Sequence, residues 1–231
     1  MDINRKHDKP PSKPIKFDAS LAKRTAYHEA GHATAIYLYN KQHKLPAVFF
    51  QISTGQFCGN KIDHKQTSSA NNTSVEGGLL IQNLPVSAIA AKNQSSTTVQ
   101  QKLQIAYEAD IVNLLAGPIA EAKYIALRDD EVFNPLLITV ESLKFYGGKA
   151  DLEQVNAYLD SFIDNSHQRK QKLAELFTKT FHFVDDRRSW KAIASLATYI
   201  LNSKNQVISC EQAFSILDEC YVLLSKVIEK T

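Results

Sequence analysis

The run Ala26-Tyr27-His28-Glu29-Ala30-Gly31-His32-Ala33 constrains this chain more than any other. Residues four apart on a helix lie one turn above each other, so the His28 and His32 imidazoles project the same way. Two of their nitrogens can then approach one cation at roughly 2.0–2.1 Å, the distance zinc requires. In the pattern His-Glu-x-x-His the glutamate points beside the metal-bound water rather than onto the metal. The chain's own content of His and Glu gives about 0.01 chance matches to this pattern. A catalytic zinc also needs a third protein ligand and one open position. The fold must therefore carry a distant side chain back to one face of this helix.

The local pattern predicts a helix capped at Asp18 or Ser20 and running to about Asn40. Leu21, Thr25, His28, His32, Ile36 and Tyr39 recur at spacings of three and four, which places them on one face. Ala26, Ala30, Gly31, Ala33 and Ala35 keep the helix slim enough for a neighbour to approach closely, so it is expected at the centre. Leu45-Pro46 ends it, and Ala47–Ile52 is a predicted strand. Thr54-Gly55 turns towards a second strand expected at Gln56–Ile62. Residues 63–78 and 92–98 are polar and turn-rich, and read as parts of an inserted excursion.

Helical periodicity returns from Val99 to about Arg128, with Leu103, Ala106, Asp110, Leu114, Gly117, Glu121 and Ile125 along it and a kink expected at Pro118. A loop containing Pro135 and ending in Gly147-Gly148 follows, then helices expected at about 151–169, 171–183, 187–202 and 209–229. The expected fold is mainly α, with a small β-sheet or hairpin beside the His-Glu-x-x-His helix. Residues 1–16, basic and poor in apolar side chains, read as a flexible tail. Residues 17–231 read as one domain whose C-terminal helical part starts near residue 171.

Charge narrows the classes of partner. The chain has 27 Lys and Arg against 24 Asp and Glu, but seven of the basic and three of the acidic side chains fall in residues 1–24. The rest is close to neutral, which argues against a nucleic-acid partner. Three cysteines without a paired spacing do not make a disulfide scaffold. No stretch approaches 18 consecutive apolar residues and no signal sequence is evident, so no membrane insertion and a reducing, cytoplasmic location are expected.

For the third ligand the residues leave two acids open. Glu121 lies on the long helix, and Asp151 opens a helix directly after Gly147-Gly148-Lys149-Ala150. No third histidine follows at the spacing of the His-Glu-x-x-His-x-x-Gly-x-x-His enzymes. Asp110 stands eleven residues before Glu121, on the same helical face, either joining a polar network or lying on the surface. His43, His64, His167 and His182 are isolated and read as surface or satisfied core histidines. Cys58 lacks an adjacent base and reads as an idle thiol. Trp190 reads as core.

Four segments, AYHEAGHA at 26–33, AVFFQISTG at 47–55, LLAGPIAEA at 114–122 and GGKADLEQV at 147–155, together resemble the peptidase domain of the FtsH family of membrane-anchored, ATP-dependent zinc proteases. The resemblance follows the order of elements from residue 17 to 231. It implies a helical, zincin-like peptidase fold in which His28, His32 and Asp151 bind Zn2+ and Glu29 is the general base. The family's helical acid corresponds to Glu121, placed behind a ligand to orient it. Where the family has Gly-Arg before that acid, this chain has Gly117-Pro118. No phosphate-binding loop of the form G-x-x-x-x-G-K-[ST] occurs, so an ATPase within this chain is not expected.

The expected activity is zinc-dependent endopeptidase hydrolysis of flexible or unfolded protein segments, without ATP-driven unfolding. An extended protein or peptide substrate is expected to add its backbone to the edge of the strand near Val48, Phe49, Phe50, Gln51 and Ile52. The rival reading is a non-catalytic protein-interaction module that keeps the zinc site; a third is a structural helical protein without metal. Assembly into an oligomer is left open.

Overall fold

The computed structural model describes residues 19–54, 73–81 and 97–228. Helix α1 spans Ala19–Thr34 and runs on through a π-type turn, Ala35–Tyr39, and a final turn, Asn40–Gln42. Every residue from His28 to Ile36 is buried. The small residues make this central position feasible. A Cβ on Gly31 would stand 2.5 Å from the Ala116 carbonyl oxygen and 2.7 Å from Ala120 Cβ. Leu21, expected on the inner face, is 56% exposed, while Ala22 and Ala26 are buried. The inward side at this end of α1 is lined by alanines.

That neighbour is α2, Thr97–Arg128, which continues through Pro118. Proline lacks an N–H and sits in the helix without a ladder bond of its own. Every residue of α2 from Ala109 to Lys123 is buried, with Ile111, Leu115 and Ile119 fully so, as suits a helix surrounded by protein. Three further helices complete the body: α3 (Lys149–Phe162), α4 (Ser166–Asp185) and α5 (Arg187–Asn202), the last packed on α1. The α3–α4 boundary falls earlier than the expected break near residue 170. Asn165 sets it, accepting the amides of His167 and Gln168, an N-cap that starts the new helix. Between α2 and α3, Val140–Phe145 forms a 3₁₀ turn capped by Thr139.

The sheet differs most from expectation. Strand β1 is Phe50–Ser53, β2 is Ser74–Gly77 and β3 is Val207–Ser209, leading into α6 (Cys210–Ile228). The order is β2-β1-β3, both pairs antiparallel, with Ile52 opposite Val75 on one side and Ile208 on the other. Ser74–Gly77 falls in a stretch read from its composition as polar turn. It pairs nonetheless, and Glu76 accepts from Gln51 Nε2 at 2.8 Å and from Ser53 Oγ at 3.0 Å across the ladder. The strand expected at Gln56–Ile62 lies outside the described residues, as do His64 and Cys58. None of the described helices is long and apolar enough to cross a membrane.

Candidate metal centre

The two histidines of α1 meet the first turn of α3. Asp151 Oδ2 lies 3.3 Å from His28 Nε2, and Asp151 Oδ1 lies 3.4 Å from His32 Nε2. One ligand atom from each of His28, His32 and Asp151 falls within 4.8 Å of the others. The imidazoles stand edge to face, centroids 4.8 Å apart and planes inclined by 72°. Their Nε2 atoms thus converge with a carboxylate on one small volume.

The other ring nitrogens are held from behind. His32 Nδ1 lies 2.8 Å from the Asn113 carbonyl, which can only accept, so Nδ1 donates to it. His28 Nδ1 lies 3.1 Å from Glu121 Oε2 and 3.2 Å from the Tyr146 carbonyl. Arg24, one turn before His28, donates its Nε to Glu121 Oε1 at 2.8 Å and reaches the Phe145 carbonyl. Such partners fix the tautomer and direction of metal-binding histidines.

Two glycines let the rings sit this deep. A Cβ on Gly117 would overlap the His32 imidazole. Gly147 has φ +74° and lies against both Glu121 and His28, so a side chain there would be both strained and obstructed.

Glu29 faces the sheet. Its Oε2 accepts the Val75 amide of β2 at 2.7 Å. Burial favours the neutral form of the Asp151 carboxyl, yet the His32 and His28 imidazoles hold it below the usual carboxylate range. Glu121 behaves alike: burial pushes it up, and hydrogen bonds from His28 and Arg24 hold it low. Burial also pushes His28 down, but the carboxylates of Asp151, Glu121 and Glu29 outweigh it and raise its pKa to about 10. Three carboxylates face a single guanidinium around the two imidazoles. The pocket is built to hold positive charge, and its donor set of two imidazoles and one carboxylate could hold a metal ion.

Of the residues expected at the site, His28, His32 and Asp151 come together, Glu121 stands behind His28, and Glu29 stands beside them. Of the segment Val48–Ile52, Val48 and Phe49 precede the strand and Phe50–Ile52 offer no edge. Strand β1 carries β2 on one side and β3 on the other, so its backbone is already paired. The outer strand on the Glu29 side is β2. Asp110, with no exposed surface, is no surface carboxylate. Among the other histidines, His43 bonds the Tyr39 carbonyl through Nδ1, and His182 stands edge-on to Phe181. Trp190 is half-buried, stacked 5.5 Å from Tyr27. Sequence reasoning passed over Arg24, Val75 and the Asn113 carbonyl. Arg24 alone had a readable signal, its place four residues before His28. No protein-family model and no curated protein matches this chain.

Proposed function

We propose that this protein is a zinc-dependent endopeptidase that hydrolyses peptide bonds in extended, flexible or unfolded protein segments. The observation that carries the reading is the convergence of His28 Nε2, His32 Nε2 and Asp151 on one point, with Glu29 next to it. The likeness of its motifs to the FtsH peptidase domain agrees with this reading.

A zinc ion held by His28, His32 and Asp151 would polarise the scissile carbonyl and bring the pKa of an attacking water to about 7. Glu29 is the proton carrier. The Val75 amide holds its Oε2; the carboxylate would take the proton of the attacking water and pass it to the departing amine. Arg24 and Glu121 keep His28 aimed, and Asn113 does the same for His32. Strand β2 aligns the substrate. Backbone groups alternate sides along a strand; Gly78 N–H bonds the carbonyl of Phe49, just before β1, whereas Val75 N–H points away, towards Glu29. An extended chain lying along that outer edge would pass the metal site with its backbone paired.

The test is hydrolysis of an unfolded, casein-like substrate by wild type and Glu29→Gln, with and without chelator. Chelator-sensitive cleavage by wild type, lost in a Glu29→Gln protein that still binds zinc, is the expected result. Equal cleavage by both proteins would remove Glu29 from its role, and zinc binding without any cleavage would favour an interaction module.

A further inference from the structure

Asp110 is buried on α2 and is no member of the metal cluster among the described residues. It binds backbone instead. Its Oδ1 accepts the Leu80 amide at 2.6 Å and its Oδ2 the Ile81 amide at 2.9 Å. The Tyr158 side chain of α3 faces it as well. A carboxylate out of water survives in charged form only when paired in this way.

The groups it binds lead to both sides of the site. Leu80 and Ile81 follow Gly77 and Gly78, whose φ values of 87° and 83° turn the chain out of β2. Gly78 rests on Ile36 of α1, where a Cβ would overlap the isoleucine side chain. Three residues before Gly78, Val75 gives its amide to Glu29. On the other side, Tyr158 lies seven residues after Asp151, two turns along the same face of α3. The α2 helix that receives these bonds also carries Asn113 and Glu121, behind the two histidines.

We infer that Asp110 is a positioning residue: it clamps the exit of β2 to α2, so that the strand's outer edge stays at the height of Glu29 and can seat an extended peptide. Because this extends the peptidase reading, the test has one arm that needs turnover and one that does not.

In the first arm, hydrogen–deuterium exchange is followed over residues 73–81 in the full chain with zinc added. Asp110→Asn, nearly the same shape, is expected to speed exchange there at least tenfold and to leave zinc affinity within about threefold. Tyr158→Phe keeps both amide bonds and is expected to leave exchange in 73–81 within threefold. In the second arm, on an unfolded-peptide substrate, Asp110→Asn is expected to raise KM about tenfold while kcat changes less than threefold. Unchanged exchange in Asp110→Asn, or an equal rise in Tyr158→Phe, overturns the clamp. A fall in kcat with KM unchanged would overturn its part in seating substrate. Absence of turnover in wild type would defeat the peptidase reading and leave the exchange arm to decide the clamp. Should Asp110→Asn fail to fold, wild-type exchange in low denaturant decides: the Val75, Leu80 and Ile81 amides are expected to open as one unit, and separate opening contradicts the clamp.

Discussion

Glu121 Oε2 lies 3.1 Å from Nδ1 of His28, although 93 residues separate the two along the chain. Arg24 holds the opposite oxygen of the same carboxylate. The guanidinium sets the carboxylate and the carboxylate sets the ring, leaving Nε2 turned towards Asp151. The positive partner of Glu121 thus comes from α1 and not from its own helix.

Cutting this relay should loosen the metal without unfolding the protein. Glu121→Gln is expected to weaken zinc binding by about 10- to 100-fold, the usual effect of losing a partner behind a ligand. Arg24→Ala should have a smaller effect in the same direction, since Arg24 is partly exposed. Competition with a chromogenic chelator measures both, and unaltered affinity in Glu121→Gln would break the relay.

Two glycine substitutions separate packing from ligation. Gly31→Ala drives a methyl into the Ala116 carbonyl and Ala120, and overpacking of this kind costs about 1–3 kcal/mol. Gly117→Ala drives its methyl into the His32 ring. Thermal melts with and without zinc should show Gly31→Ala destabilised in both conditions. Gly117→Ala should lose most of the stabilisation that zinc gives the wild type.

Asp110 supplies a pH signature. Burial raises its carboxyl to about 6, against the lowering effect of the Ile81 and Leu80 amides and the Tyr158 hydroxyl. A carboxyl raised on folding adds stability below its unfolded pKa near 3.9. That contribution is lost as pH climbs through the folded value. The shift corresponds to about 3 kcal/mol. Relative to Asp110→Asn, wild type should therefore lose about this much between pH 4 and pH 7 in urea titrations. A difference between the two proteins that does not vary with pH would contradict the burial of a titrating carboxyl.

Lys123 tests the fold away from the metal. Its ammonium is buried, donates to the Val184 and Asp185 carbonyls and the Asp185 carboxylate, and lies 4.8 Å from the Trp190 ring. Lys123→Ala strips hydrogen bonds from the end of α4 and is expected to cost about 2–4 kcal/mol. Loss below 0.5 kcal/mol in chemical denaturation, followed by Trp190 fluorescence, would contradict that account.

The parts of the site legible in the sequence are those governed by local rules. Helical spacing puts His28 and His32 on one face whatever surrounds them, and small residues around Gly31 mark close packing. Asp151 was marked by the glycines before it and by motif resemblance rather than by periodicity. What could not be read depends on which segment lies against which. Ser74–Gly77 becomes a strand through Glu76, Gln51 and Ser53, a partnership between segments that no alternation of apolar residues announces. The place of β1 in the middle of the sheet rests on Val207–Ser209, more than 150 residues away in the chain. Leu21 kept the helical period yet faces out, because the period of a helix does not say where its neighbours end. Asn165, a cap inside an otherwise continuous polar stretch, moved a helix boundary.

X-ray absorption at the zinc edge tests the central claim most directly. The account predicts one zinc per chain with two imidazole nitrogens at about 2.0–2.1 Å and oxygen completing the shell, and loss of that spectrum in His28→Ala. A shell containing sulfur, a third imidazole, or a spectrum unaffected by His28→Ala would contradict it.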